Sequence, residues 1–278
     1  AEILVTGIRH LSTEGLRPFF FCFLAGFLVF PYFVWLVHIP SWTAPRAAEW
    51  IPALAAAFGQ ATLSSTAAMV AGWILFSSLQ SQRSPRSRNS AETALLLPNV
   101  VPPLFLALGL LNFTTIFAAF PYGIWAVIAA HVLLNAALVA IALDRLVQAK
   151  LGGMAEVCWI LGAKPGLFWR RIAWPYIRAD LASLYLFIFG LCFTSFSLPL
   201  LLGGDRASTL EVVIYDFIRF HGQWDKAVLL AALQAGMLLM LAWLLPQPFW
   251  PARPARKSLM YLAWPSLWPA AYLPAFII

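Results

Sequence analysis

The stretch EVCWILGAKPGLFWRRIAWP, residues 156–175, is the most polar-studded part of an otherwise lipid-like chain. Met154, Val157, Ile160 and Leu161 fall on one face of a short helix, and Gly162 sits where a helix C-terminus uses a left-handed residue. Pro165 then suits the first turn of a second helix, where its missing N–H costs nothing. In that helix Leu167, Phe168 and Ile172 share a side, Arg170 and Arg171 reach solvent or lipid phosphate, and Pro175 ends it. A short helix with an apolar face, held in an aqueous loop, needs cover. Either a separate partner supplies it or the loop folds back on the chain's own helices.

The surrounding composition decides the environment. Apolar residues make up 62%, charged residues 10%, and the mean hydropathy is +0.82. Soluble domains carry about a quarter charged residues, so this is a membrane-spanning chain. The net charge of +7 reflects the excess of Lys and Arg that membrane proteins keep on cytoplasmic loops, and nucleic acid is not an expected partner. Cys22, Cys158 and Cys192 lie far apart without a metal-ligand spacing and read as core thiols.

Working outward, apolar runs of about 20 residues, enough to cross the hydrocarbon core, predict six spans near 17–38, 54–79, 93–119, 124–143, 181–202 and 227–245. The lead before the first has no cleavage site and reads as no cleaved signal peptide. The second span is rich in Ala, Gly, Ser and Thr, which let helices approach closely in lipid. The third carries Pro98, Pro102 and Pro103 beside Asn99, which predicts a kinked or broken entrance, read equally as an interfacial helix start or a hinge. In the fourth, His131 and Asn135 project from one face. They could line a translocation path, but an interhelical hydrogen-bonding pair is the simpler reading.

The fifth span contains Thr194 and Ser195 beside Ser197 and Pro199, a polar, bendable stripe and a further candidate for the path. After it, Ser208 and Glu211 have the spacing of a capping box ahead of Val212, Tyr215 and Phe220, predicting a short interfacial helix. Glu211 and Tyr215 mark a candidate outer gate or docking surface for a solute-binding protein, or simply a connecting helix. The sixth span holds Gln234 as its one strongly polar interior residue. A basic, proline-rich linker follows, and an apolar segment over 258–278.

Charge supports one orientation. With the N-terminus and the loops after spans two and four in the cytoplasm, only Arg46, Arg206, Arg219 and Lys226 of the 18 Lys and Arg lie outside. No P-loop, G-x-S-x-G, H-E-x-x-H or buried carboxylate pair competes, so the chain is not expected to hydrolyse ATP or to bind a cofactor or metal itself.

The spacing of residues 156–175 resembles the cytoplasmic "EAA" signature (E-A-A, three residues, G, nine residues, I-x-L-P) of permease subunits of binding-protein-dependent ABC importers. Glu156, Gly162, Ile172 and Pro175 match it in order, with Ala163 and Phe168 between; Val157, Cys158 and Trp174 depart from it. PYGIWAVIAAHVLLN (121–135), the Trp174–Pro175 pair, CFTSF (192–196), and LGG with TLEVVIYDFIRF (202–220) resemble the thiamine and ferric-iron branch of these permeases, thiamine being favoured.

The resemblance implies an all-α, six-span, type I (MetI-like) transmembrane domain over 1–257, with short cytoplasmic coupling helices between spans four and five. It implies alternating access in a bacterial inner membrane, ATP and magnesium on a separate ATPase homodimer, and a periplasmic solute-binding protein. In the coupling loop Glu156 would orient, Gly162 turn, and Phe168 and Ile172 fill a groove on the ATPase. The permeases of this branch carry two six-span halves, so 258–278 is expected to begin a second half, lost by truncation or encoded separately. An ion-coupled secondary transporter would place a charged coupling residue at mid-membrane, and a membrane-embedded enzyme would need a partner for His131; neither is evident in the sequence.

Overall fold

The computed structural model describes Val37 and residues 43–82, 84–117, 122–204 and 209–244. The expected first span, apart from Val37, and the expected second-half start at 258–278 lie outside the described residues. What is described is helical: α1 (Ala47–Gln80), α2 (Pro85–Val100), α3 (Pro103–Phe117), α4 (Ile124–Ile160), α5 (Pro165–Phe168), a π-helical turn (Trp169–Ala173), α6 (Trp174–Phe193), α7 (Ser197–Leu202), α8 (Leu210–Arg219) and α9 (Trp224–Leu244). Among the described residues four helical stretches are long and apolar enough to cross a membrane, or up to five if the bent α2–α3 pair counts as one.

The bundle is built on α1 and α4. α1 buries Ala53, Ala57, Gln60, Ala61, Ser64, Ser65, Ala68 and Gly72 along one stripe. Its hydroxyls return to their own helix, as Ser65 Oγ does to the Ala61 carbonyl at 2.7 Å, so they need no water in the bilayer. At Gly72 the approach is closest: a methyl added there would overlap the Val139 side chain. Gln60 meets His131, Gly72 meets Val139 and Gln80 meets Asp144, so α1 and α4 run parallel. α6 runs antiparallel to α4, with Asn135 beside Cys192 and Lys150 beside Asp180. A smaller core joins Ala107, Ala126, Val127, Ala130, Leu198 and Leu202 from α3, α4 and α7.

Several helix limits differ from the hydropathy expectation. α4 does not stop at 143 but runs 37 residues to Ile160, about 55 Å at 1.5 Å per residue. α1 is 34 residues long. The charges that read as span ends are inside helices and neutralised in pairs. Asp144 pairs with Arg88 of α2 and accepts from Gln80 Nε2 at 2.7 Å and from Gln148, while Lys150 Nζ lies 2.6 Å from Asp180 Oδ2. Both pairs are buried. The expected third span is two helices meeting at 91°; α2 passes through Pro98 and breaks at Val101 and Pro102.

The fifth span begins earlier and ends earlier than 181–202. Gly166–Phe193 is one span-length helical stretch, and the backbone breaks at 194–196 before α7. Thr194 donates from both its N–H and its Oγ1 to the Gly190 carbonyl, drawing the chain into a local cap that ends α6. Pro175 does not end the helix either. The π turn just before it opens the helix at the point where the proline ring would meet the preceding turn.

Candidate functional site

The end of the bundle where α1, α4 and the start of α6 meet is polar and tied together. Arg88 bridges Asp144 and Glu92, Arg145 reaches Glu92 at 2.8 Å, and Lys150 sits over the Tyr176 ring. From this end α4 projects to Ile160 and turns. Gly162 takes φ +73°, its N–H donates to the Trp159 carbonyl and the Ala163 N–H to the Cys158 carbonyl, each at 2.9 Å. That pair of bonds is the Schellman closure, which needs a residue free to enter the left-handed region. Lys164 then caps the next helix, its carbonyl accepting from Leu167 and Phe168 at 3.0 and 3.1 Å.

The turn divides its apolar residues between two directions. Phe168, Trp169 and Ala173 enter the core, Trp169 meeting Trp73 edge-on at 6.2 Å. Phe168 is 4% exposed, so the expectation that it fills a groove on a partner is corrected: it anchors the loop on this chain. Ile172 is half-buried against the same core. Ile160 at 85% and Leu161 at 78% exposed, with Val157 and Leu167, form the outward apolar patch. Glu156 is half-buried beside them, and its Oε1 is buried without a hydrogen-bond partner among the described residues. Ala163 is half-buried and Pro175 exposed. The patch residues on α4 are those whose helical periodicity is visible in the sequence; the inward turn of Phe168 is not, because the core it joins, through Trp169 and the Trp73 that Trp169 meets, is assembled from helices distant in the chain.

His131 and Asn135 lie inside the bundle. His131 Nδ1 is 2.9 Å from Gln60 Nε2, and Asn135 Nδ2 is 3.6 Å from Cys192 Sγ. Both are buried, so they join α4 to α1 and α6 in this structure. Thr194 is exposed and Ser195 half-buried at the break after α6.

At the other end, α8 is strongly amphipathic and packs on α9. Thr209 is the N-cap of α8 and makes no side-chain cap hydrogen bond; the expected capping box rests on Ser208, which lies outside the described residues. Glu211 Oε1 instead accepts from Gln234 Nε2 at 2.9 Å, and burial pushes the Glu211 carboxyl above its usual range against the lowering effect of that bond. Tyr215 packs against Phe196 with ring centroids 5.1 Å apart. Asp225 accepts from Thr43 N at 2.9 Å and Lys226 reaches Glu49 at 3.3 Å, closing this end.

This arrangement has solved counterparts. The backbone is similar to the MetNI methionine ABC transporter in an inward-facing form, with a TM-score of 0.59 over 69% of this chain and 91% of that one at 14% identity. It is equally similar, at 0.59 and 14%, to a bacterial ABC transporter that imports the polysaccharide alginate, over 83% and 96%. Alginate transporter in complex with its alginate-pentasaccharide-bound periplasmic protein gives 0.56 at 17% identity, over 87% and 90%. The chain therefore has the transmembrane-domain fold of ABC importers of the MetI type.

Sequence likeness points within that class. No family model matches the chain. It is 32% identical over 115 residues to the thiamine transport system permease protein ThiP of Escherichia coli (strain K12), and 36% identical over 125 residues to that of Brucella suis biovar 1. These stretches are 41% and 43% of this chain but 22% of each relative, so the match spans about a fifth of the relatives' length. In fold and in sequence the chain resembles the permease of a binding-protein-dependent ABC importer.

Proposed function

We propose that this chain is the permease, or one half of the permease, of an ATP-driven importer in a bacterial inner membrane, with its N-terminus in the cytoplasm. A separate ATPase homodimer seats on the Val157, Ile160, Leu161 and Leu167 patch and carries the ATP and magnesium. A periplasmic binding protein delivers solute at the α8 end, and a second permease half completes the path. The transport cycle is alternating access, and the solute is thiamine, with ferric iron as the next choice.

The observation that carries this reading is the outward apolar patch on a Schellman-closed turn, at a bundle end held rigid by paired charges. A patch of large apolar residues standing beyond a helix bundle marks a surface that another protein covers. The thiamine choice rests on the ThiP likeness. Uptake of labelled thiamine by cells depending on this chain tests it. Uptake should stop on ATP depletion and persist when an ionophore collapses ion gradients; the reverse pattern would make the chain an ion-coupled transporter.

A further inference from the structure

The α8 end holds a half-buried carboxylate, Glu211, that accepts from an uncharged donor. Among the described residues no Lys, Arg or His forms an ion pair with Glu211; its carboxylate accepts instead from the neutral amide of Gln234. The same amide nitrogen also lies 3.4 Å from the Phe193 carbonyl, at the C-terminus of α6 where the backbone breaks. A helix C-terminus carries negative partial charge, and the ends of broken membrane helices are where backbone carbonyls and acidic side chains together favour cations. Gln234 thus holds a carboxylate against the negative end of a helix, inside a half-buried setting that already penalises charge.

Beside it is aromatic surface. Tyr215 follows Glu211 by one helical turn and so shares its face of α8, and it meets Phe196, from the break itself. Phe196, Glu211 and Tyr215 are all half-buried, open enough to be reached. A carboxylate and ring faces together suit an organic cation, attracted by charge and by the ring quadrupoles. A glutamine at 211 keeps an acceptor for Gln234 without the charge, so this exchange separates the carboxylate's charge from its hydrogen bond.

We propose that Glu211, oriented by Gln234 and flanked by the Phe196–Tyr215 ring pair, is a recognition site for a monovalent organic cation at the α8 mouth of the bundle. That this cation is the transported solute rests on the importer reading above; the site itself does not. Glu211 then sets the charge selectivity of the path.

The test is calorimetric titration of the full-length protein, purified in mild detergent, with thiamine as the cationic probe and nicotinamide as an uncharged ring. Thiamine should bind and nicotinamide should not. Glu211→Gln should weaken thiamine binding tenfold or more while leaving the thermal midpoint at or above that of wild type. Equal thiamine affinity in Glu211→Gln, nicotinamide binding as tightly as thiamine, or displacement of thiamine by equimolar sodium would each overturn the proposal. If Glu211→Gln fails to fold, Tyr215→Leu carries the test: a severalfold weaker Kd is expected, and unchanged affinity overturns the site. Absence of thiamine binding in a preparation that still co-purifies an ATPase would overturn this site and leave the importer reading standing. Binding that depends on Glu211 in a preparation that retains no ATPase would do the opposite.

Discussion

Gly162 and Glu211 show what single positions decide here. At Gly162 the φ of +73° makes any Cβ costly, about 1–2 kcal/mol for an ordinary residue in the left-handed region, while the space around it is open. Gly162→Asp should therefore leave the bundle's helical circular dichroism intact and abolish uptake, through strain at the turn and a charge set into the apolar patch; wild-type uptake by this variant would remove the turn from the mechanism. Glu211 works in the other sense. Because burial raises its carboxyl pKa in the fold, the folded state holds the proton more tightly than the unfolded chain, and stability falls as pH rises past the ordinary carboxyl range. The thermal midpoint of Glu211→Gln should equal that of wild type at low pH and match or exceed it at neutral pH; a variant less stable at neutral pH would make Glu211 a structural group.

At the scale of elements, two contacts set the bundle. Val139 lies where a side chain on Gly72 would have to go, so Gly72→Val should overpack the α1–α4 seam and cost about 1–3 kcal/mol, read as a lower unfolding midpoint in detergent. The buried Arg88–Asp144 pair fastens α2 to α4. Asp144→Ala removes one of the two carboxylates that Arg88 bridges, so it should cost about 3 kcal/mol, the lower end for a broken buried pair, and the double change Arg88→Met with Asp144→Leu should recover part of it. Equal stability of the single and double variants would show that the pair is not coupled. These charged pairs also explain where hydropathy misplaced the helix ends. Asp144, Arg145, Lys150 and Asp180 read as loop residues when each is weighed alone, yet Asp144 meets Arg88 and Gln80 56 and 64 residues away, Arg145 meets Glu92 53 away, and Lys150 and Asp180 meet each other across 30. Pairing across helices is invisible to a window that slides along one chain.

For the whole molecule, the apolar spans, the left-handed turn at Gly162 and the proline-linked break near residue 101 were legible because each is a local rule: length, a glycine at a helix end, prolines in a row. The division of the 156–175 loop into an anchor and an outward patch was not, since Phe168 and Leu167 are both large and apolar and it is the core assembled from distant helices that takes in Phe168 and leaves Leu167 outside. The parallel course of α1 and α4 brings the basic 84–92 stretch and the 156–175 turn to the same end of the bundle, the end where a driving partner would sit. The most direct measurement is co-purification from native membranes in mild detergent, comparing wild type with Ile160→Glu. That change touches an exposed side chain and should spare the fold. An ATPase recovered with wild type and lost with Ile160→Glu is the expected result; an ATPase recovered equally with both, or with neither, would contradict the assignment of this patch as the surface through which transport is driven.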